Sequence, residues 1–329
     1  MKHTDWGTWL SLAAVGAVCV VVAVKEMPAR ESAPAAPGVE RSARVDRSAA
    51  SRRPPEKKAE EPAAAPKDTE PRKPAERSSY DLNKPARSIE LSKELNEISG
   101  LGMAGDGKSL WAVHDERGVL FRISAEDGSV VQEIDLGKRG DFEGVEEVDG
   151  RVYVARSEGV MLVIDPTGQR EAERLTFARD LGLACDLEGV AYDAQEKRLL
   201  LACKNEGWRS SKKSEKVYEI YAMSLDTQKV KDEPVITLSM KELEAHDLKA
   251  KQFGPSGIAV HPATGEIYVI SARGEAMVVL GRDGSIVRAE KIDSDVHLQP
   301  EGIAFSADGT MYVSDEAKGK RAKLHLIKP

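Results

Sequence analysis

A glutamate followed by a glycine recurs at the start of three short apolar runs. The pairs are Glu143-Gly144, Glu188-Gly189 and Glu301-Gly302. Two related runs have a serine in the glutamate's place, Ser256 and Ser99, and Glu97 stands two residues before the second of these. One such glutamate is most often an ordinary solvated surface group. The recurrence is what indicates a site.

Carboxylates that gather at one point repel one another and raise each other's pKa, and a hard divalent cation relieves this cost. If the fold brings the recurring residues together, their oxygen-only donor set suits Ca²⁺ better than Mg²⁺ or Zn²⁺. The sequence therefore predicts a calcium site, and the candidate ligands are Glu143, Glu188, Glu301, Glu97 and Ser256.

A second set of polar residues stands at the end of the next apolar run in each repeat. It comprises His114, Arg156, Lys204, Arg273 and Asp315, and Glu316 follows the last of them. In one interpretation the cations only neutralise neighbouring glutamates, which contributes little at an exposed site. In the other, they form a pocket beside the metal for an anionic ligand such as a phosphate or a carboxylate. The sequence leaves both open.

The elements that must position these residues form a repeat. The glycines at 100, 144, 189, 257 and 302 are separated by 44, 45, 68 and 45 residues. A period near 45 with several strands per unit is typical of a β-propeller blade. Five blades are predicted. A six-bladed ring is the alternative, but the 68-residue interval is short for two blades, and a loop with a helix over Met240–Ala250 accounts for its extra length.

The predicted propeller spans residues 86–329. In a propeller the first strand of each blade lines the central channel, so a glycine there lets neighbouring blades approach closely. The last repeat lacks a fourth strand after Ala322–Pro329, and Ala86–Lys93 can supply it. Closing the ring in this way leaves no exposed sheet edge.

Two further segments precede the propeller. Residues 1–25 contain an uncharged run, Gly7–Val24, near the length of about 20 residues that spans a bilayer as a helix. It is either an uncleaved anchor or a cleaved signal peptide. The absence of a small-x-small cleavage site after Val24 favours the anchor. Residues 26–85 are rich in proline, alanine and charge, which predicts a disordered linker. The expected location is the inner membrane, with the propeller on the periplasmic side.

The charge of the predicted propeller excludes one class of partner. Residues 88–329 contain 32 Lys and Arg and 43 Asp and Glu, a net charge of −11. Nucleic-acid binding requires a basic face, so no nucleic-acid partner is expected.

Cysteines and histidines give little further indication of chemistry. Cys185 and Cys203 flank the inner hairpin of the third repeat. As diagonal neighbours their Cα atoms would lie about 7–8 Å apart, at or beyond the limit for a disulfide. A bond is possible in an oxidising compartment, but two buried free thiols are favoured. The six histidines share no metal-ligand spacing.

The segments DFEGVEEV, DLEGVAYD, GPSGIAV and QPEGIAFSADGTMYVSDE, in this order, resemble the SdiA-regulated family of bacterial proteins. The resemblance covers residues 89–329 and implies a five-bladed β-propeller, distantly similar to NHL-repeat proteins, with a calcium site and often an N-terminal anchor. The metal role carries over most directly to Glu143, Glu188 and Glu301. At Ser256 and Glu97 this sequence offers a hydroxyl or a displaced acid instead. The family implies no reaction.

The expected function is that of an anchored, exported, calcium-binding propeller whose axial mouth binds an anionic ligand or an envelope protein. The alternative is an enzyme, a calcium-dependent, phytase-like phosphoester hydrolase in which the cationic residues hold phosphate. Propellers support both functions, so the fold does not decide between them.

Overall fold

The computed structural model describes residues 18–21, 80–137, 139–167, 173–176, 185–206 and 217–329. The strands β1 (Val18–Val21) and β2 (Arg87–Glu90) come first in the chain. The helical elements of the described residues are α1 (Met240–Ala245) and two 3₁₀ turns, Lys93–Leu95 and Ala250–Gln252. All other regular elements are strands.

Nineteen further strands form five blades. Blade 1 contains β3 (Ile98–Met103), β4 (Ser109–His114), β5 (Val119–Ser124) and β6 (Val130–Asp135). Blade 2 contains β7 (Phe142–Val148), β8 (Arg151–Arg156), β9 (Val160–Ile164) and β10 (Glu173–Thr176). Blade 3 contains β11 (Leu187–Asp193), β12 (Arg198–Glu206), β13 (Val217–Ser224) and β14 (Ile236–Ser239). Blade 4 contains β15 (Gly257–Val260), β16 (Ile267–Ser271), β17 (Ala276–Leu280) and β18 (Ile286–Lys291), and blade 5 contains β19 (Pro300–Phe305), β20 (Met311–Asp315) and β21 (Lys323–Ile327).

The two ends of the propeller meet in blade 5. Its strand order is β19-β20-β21-β2, and β2 pairs antiparallel with β21 with Arg87 opposite Leu326. The predicted closing strand is therefore confirmed, and so is the five-bladed ring. The six-bladed alternative is wrong, because the long interval after Gly189 holds one four-stranded sheet and the α1 region.

Apolar side chains pack between neighbouring blades. The strands β9 and β17 read VMLVI and AMVVL and are buried throughout, as expected for strands covered on both faces. The buried residues form five hydrophobic clusters, each shared by two adjacent blades, including the one that joins blade 5 to blade 1. This packing holds the ring together and fixes where each first strand begins.

The inner-strand glycines let the blades converge at the axis. A Cβ on Gly100 would lie 2.6 Å from the carbonyl oxygen of Glu143, and a Cβ on Gly257 would lie 2.7 Å from that of Glu301. A Cβ on Gly302 would lie 2.7 Å from the carbonyl oxygen of Ser99, in the first strand of blade 1. Any side chain at these positions would push the first strands apart and widen the channel.

The folded part begins earlier than residue 86. Tyr80 and Leu82 are buried in the cluster between blades 4 and 5. The Tyr80 hydroxyl donates to the carbonyl of Gly309 at 2.7 Å and lies 2.8 Å from Nε2 of His261. The end of the predicted linker, residues 80–85, therefore belongs to the propeller. The signal was the return of large apolar residues at these two positions.

The remainder of the predicted anchor and linker lies outside the described residues. Of the predicted anchor only β1 is described, and it is a strand that pairs parallel with β6, with Val18 opposite Gln132. In the described part of the chain, no helix is long and apolar enough to cross a membrane.

Cys185 and Cys203 form a disulfide bond, with their Cα atoms 5.1 Å apart. The prediction of two free thiols is wrong. It placed both cysteines in a regular ladder, where diagonal neighbours are too distant. Cys185 instead precedes the first residue of β11, and the ladder shifts register between Leu187 and Gly189. The chain therefore leaves the ladder geometry, and the two cysteines can approach each other.

Candidate metal centre at the axial mouth

In blades 2, 3 and 5 a β-bulge turns the residue before the inner glycine out of the sheet ladder. The register shifts between Phe142 and Gly144, between Leu187 and Gly189, and between Pro300 and Gly302. The skipped residues are Glu143, Glu188 and Glu301. A bulge leaves such a residue unpaired and re-aims its side chain. All three glutamates line one narrow cavity on the axis, together with the inner glycines.

Equivalent positions in the blades place further acids close to these glutamates. Two residues before the bulge stand Glu97, Asp141, Asp186 and Gln299. The backbone carbonyl of each accepts an N–H from the residue at the end of the next strand, Asp115, Ser157, Lys204 and Glu316 respectively. The same hydrogen bond in four blades makes these residues structural counterparts. We refer to the eight carboxylates together as the acidic mouth: Glu97, Asp115, Asp141, Glu143, Asp186, Glu188, Glu301 and Glu316.

The carboxylates of the acidic mouth touch one another. Asp115, Asp141 and Glu143 each place one ligand oxygen within 4.8 Å of the other two. Carboxyl–carboxyl hydrogen bonds join Asp115 to Asp141 and Asp141 to Glu143, and a third joins Glu97 to Glu316. Two ionised carboxylates cannot hydrogen-bond each other, so each contact requires either a shared proton or a cation.

Burial and mutual repulsion oppose ionisation of these acids. Burial, followed by the charge of Glu188, raises the pKa of Glu143 to about 9 and that of Glu301 to about 8. Burial raises the pKa of Glu188 to about 7 although Lys204 opposes the shift. Burial and the neighbouring acids also raise the pKa of Asp115 and of Glu316 to about 7.

Asp141 ionises more easily than Asp115 and Glu143, the two acids that it contacts. Burial disfavours its charge, but hydrogen bonds from Ser157, Asp115 and Glu143 outweigh burial and hold its pKa below the ordinary value. The three-carboxylate group therefore combines one ionised acid with two that retain protons. A divalent cation bound there would displace those protons.

In the described part of the chain, Lys204 is the basic side chain that forms an ion pair with an acid of the acidic mouth. Its Nζ donates to Oε1 of Glu188 at 2.8 Å. Burial lowers the pKa of the Lys204 ammonium, but the charges of Glu188, Glu301 and Glu143 raise it by more, so its pKa lies above the ordinary value. One ammonium group balances a single charge, so most of the repulsion in the mouth is left uncompensated.

The other members of this predicted polar set do not join Lys204. His114, Arg156 and Asp315 stand at the strand position before the one that Lys204 occupies. Since side chains alternate between the two faces of a strand, these three turn away from the mouth. The Arg156 guanidinium lies over the Phe142 ring at 5.4 Å and pairs with Glu158 at 2.7 Å. Arg273 is exposed.

The model of one protein family matches residues 76–318, most of the chain and nearly all of the propeller. The protein belongs to the SdiA-regulated family.

Solved structures with the same fold are only distantly related in sequence. Glutaminyl cyclase from Myxococcus xanthus is 15% identical, with 74% of this chain and 95% of that chain covered and a TM-score of 0.50. A luciferin-regenerating enzyme is 11% identical, with 73% and 94% covered and a TM-score of 0.47. The similarity to the glutaminyl cyclase supports the propeller fold of this SdiA-regulated protein.

The other two predicted ligands of this SdiA-regulated protein, Glu97 and Ser256, have surroundings that differ from each other. Glu97 lies in the acidic mouth, hydrogen-bonded to Glu316. Ser256 in blade 4 is buried, and its hydroxyl donates to the carbonyl of Pro300 at 2.7 Å and accepts from the N–H of Ala272 at 3.1 Å. That hydroxyl joins blades 4 and 5. Ser99, in the same slot of blade 1, donates to Oε2 of Glu143 at 2.7 Å.

Sequence reasoning missed three acids of the mouth, Asp115, Asp141 and Asp186. Two of them carry a signal in the sequence, because Asp141 and Asp186 each stand two residues before a recurring Glu-Gly pair. The motif is therefore Asp-x-Glu-Gly in blades 2 and 3. Asp115 has no such signal, since its counterparts in other blades are a serine, a lysine and a glutamate.

The donor set of the acidic mouth fits calcium. Its candidate ligands are carboxylate oxygens, and neither imidazole nor thiolate is among them. Hard oxygen donors in variable number are what Ca²⁺ prefers. Asp115, Asp141 and Glu143 would bind the ion first, and Glu188 would be free to contribute only if Lys204 moves from it.

Proposed function

We propose that this protein is an exported, membrane-anchored propeller that binds Ca²⁺ at its acidic mouth and uses that mouth to bind a ligand or partner. The observation that carries the proposal is the set of three carboxyl–carboxyl contacts, Asp115–Asp141, Asp141–Glu143 and Glu97–Glu316. Calcium would replace the shared protons of these contacts, and the carboxylates would then bind it in ionised form.

Export is supported by the disulfide between Cys185 and Cys203. Such bonds persist in oxidising compartments and are rare in the cytosol. The uncharged run over residues 7–24 is the proposed anchor, which requires Val18–Val21 to leave their pairing with β6. The linker that follows would hold the propeller at a distance from the membrane.

An anionic ligand is the expected partner of a calcium-loaded mouth. Calcium accepts six to eight oxygen ligands, so a phosphate or carboxylate could complete its coordination beside the Lys204 ammonium. An envelope protein that presents an acidic side chain would bind by the same chemistry. The hydrolase alternative requires a cationic phosphate pocket, and His114, Arg156 and Arg273 do not join Lys204 at the mouth.

Isothermal titration of Ca²⁺ into the metal-free, full-length chain tests the proposal. We expect a single class of tight sites in the wild type and at least a tenfold weaker affinity in Asp141→Asn, which removes the central carboxylate of the three. Asp149→Asn is the matched control, because Asp149 is exposed and has a φ of 51°, which asparagine tolerates. Absence of calcium binding in the wild type, or equal affinities for the Asp141→Asn and Asp149→Asn variants, would rule out the proposed site.

A further inference from the structure

A second cluster of metal-ligating side chains lies inside blade 5, away from the acidic mouth. His297 precedes β19, Asp315 ends β20 and His325 lies in β21. Each offers a ligand atom, and these atoms lie within 4.8 Å of one another. The spacing of the histidines along the sequence gives no metal motif. The antiparallel pairing of blade 5 brings them together around Asp315, whose side chain turns away from the mouth.

The cluster is closed to solvent. The three side chains are at most 2% exposed. Nδ1 of His297 lies 3.2 Å from Oδ1 of Asp315, and Nε2 of His325 lies 3.2 Å from Oδ2 of the same carboxylate. The two imidazole rings are 4.5 Å apart between centroids. A buried carboxylate therefore sits between two inward-facing ring nitrogens.

The outer nitrogen of each ring is held by the N-terminal segment of the propeller. Nε2 of His297 lies 2.9 Å from the carbonyl oxygen of Leu82, and Nδ1 of His325 lies 2.8 Å from Oγ of Ser88 in β2. A carbonyl only accepts, so Nε2 of His297 carries a proton. In the neutral ring Nδ1 then presents a lone pair to the Asp315 carboxylate, and two acceptors face each other. A cation between them removes this conflict.

His325 provides a second, independent observation. Among the described residues its Nε2 has no hydrogen-bond partner of acceptable geometry, although Oδ2 of Asp315 is only 3.2 Å away. In a direct histidine–aspartate hydrogen bond the N–H points at the oxygen. Around a metal, the lone pairs point to a common centre instead. With metal–ligand distances of about 2.0–2.1 Å, neighbouring tetrahedral ligands lie about 3.3 Å apart, close to the 3.2 Å that separates each ring nitrogen from its own nearest oxygen of Asp315.

We propose that His297, Asp315 and His325 bind a divalent transition metal, with Zn²⁺ the preferred ion. Two imidazoles and one carboxylate suit zinc and do not suit calcium. A buried water would fill the fourth position. The Leu82 carbonyl and the Ser88 hydroxyl accept the outer N–H groups and orient the rings, as groups behind metal-bound histidines do.

The proposed metal would lock the closure of the ring. Leu82 and Ser88 come from the segment that closes blade 5, and the three ligands come from the C-terminal part of that blade. Metal binding would therefore join the two ends of the propeller through its ligands and the groups that orient them. This role is independent of calcium at the acidic mouth.

The metal content of the wild type tests the proposal directly. The full-length chain is exposed to Zn²⁺, dialysed against a weak chelator and analysed for metal. We expect one zinc per chain, and after exchange for Co²⁺ we expect the intense visible absorption of a tetrahedral cobalt site. Less than one-tenth of an equivalent of zinc, together with nitrogen NMR signals showing both nitrogens of His297 protonated, would identify a hydrogen-bonded triad and overturn the proposal.

Three variants distinguish this site from other histidines and from the acidic mouth. His325→Gln should lose the zinc, and Ser88→Ala should weaken zinc binding about 10–100-fold. His261→Gln is the matched control, because His261 is buried in blade 4 with Tyr80 and Thr264 as partners and should retain one zinc. Glu143→Gln should also retain it, which separates this proposal from the calcium site. Retention of the zinc by a folded His325→Gln variant would contradict the assignment.

Discussion

At the residue scale, Lys204 and calcium would compete for the carboxylate of Glu188 in the acidic mouth. The ammonium lies 2.8 Å from Oε1 of Glu188 and occupies the carboxylate that calcium would also use. The glutamate side chain is 2% exposed, whereas the lysine side chain is 32% exposed. The lysine can therefore leave the glutamate for solvent more easily than the glutamate can leave the cavity.

Lys204→Gln should have opposite effects on the metal-free and calcium-loaded protein. Without metal it leaves Glu188 without its charged hydrogen bond, which should cost about 1.5–3 kcal/mol. With calcium it removes the competing cation, so the calcium affinity should rise. Thermal melts in EDTA and calorimetric titration measure the two effects. Lys231→Gln, at an exposed lysine, is the control. A weaker calcium affinity in Lys204→Gln would show that Lys204 supports calcium binding.

The stability of the protein should depend on pH in a direction set by the raised pKa values. Glu143, Glu301 and Glu188 have folded-state pKa values of about 9, 8 and 7. In the unfolded chain these glutamates ionise near the ordinary glutamate pKa of 4.5. Between about pH 5 and 9 the folded state therefore binds more protons than the unfolded state, so metal-free stability from these groups falls as pH rises.

Calcium binds the ionised carboxylates, so it should remove this loss. The difference in Tm between calcium and EDTA should be larger at pH 8.5 than at pH 6. Proton release on calcium binding, measured by titration in weakly buffered solution, provides a direct check at pH 7. An equal Tm difference at both pH values and no proton release would show that these carboxylates are already ionised.

At the element scale, the repeated bulge at the start of the first strand is what aims the glutamates. The Glu-Gly recurrence predicted that the glutamates gather at the axis, and the bulges at these positions were not predicted. The set ending the second strand was predicted poorly. A shift of one residue moves a side chain to the other face of the strand, so His114, Arg156 and Asp315 could not be distinguished by eye from the position of Lys204. Only the pairing of the strands decides this.

The disulfide should stabilise the inner hairpin of blade 3. Cys185 and Cys203 are separated by 18 positions, and closing a loop of this size contributes about 3 kcal/mol. Cys185→Ser with Cys203→Ser should lower the Tm by roughly 2–4 °C for each kcal/mol in a domain of this size. Reduction of the wild type should lower it similarly and leave the double variant unchanged. A wild-type Tm insensitive to a reductant that is shown to reduce the bond would contradict this role.

The closing strand and the segment before it should contribute separately to stability. A chain that begins at Arg87 keeps β2 but loses Tyr80 and Leu82, and loss of a buried aromatic alone costs about 3–5 kcal/mol. A chain that begins at Glu94 also loses β2 and exposes the edge of β21. We expect Tm to fall in that order from a chain that begins at Tyr80. Equal Tm values for the chains that begin at Glu94 and at Tyr80 would show that blade 5 is stable with three strands.

At the scale of the whole molecule, the pseudo-symmetry of the blades explains why the fold could be predicted and why the sites could not. The repeat length and the inner glycines indicate five blades, and the missing fourth strand of the last repeat indicates the closing strand. The sites depend on departures from that symmetry. Blade 4 has Ser256 where three blades have glutamate, blade 3 has Lys204 where blades 1 and 5 have acids, and in the described residues blade 5 alone assembles the His297–Asp315–His325 cluster. Single-residue departures of this kind leave no repeating signal in one sequence.

The central claim is that the acidic mouth binds calcium through its carboxylates, and thermal melts of three full-length proteins test it most directly. The proteins are the wild type, Glu143→Gln and Glu244→Gln, whose glutamate lies exposed on α1; each is melted with calcium and with EDTA. At a hundredfold excess over Kd, calcium should stabilise the wild type and Glu244→Gln by about 2.7 kcal/mol. Glu143→Gln should lose most of that shift, and in EDTA it should melt at or above the wild-type temperature because glutamine, unlike Glu143, need not take up a proton on folding. A full calcium shift in Glu143→Gln, with a lower Tm in EDTA, would contradict the account.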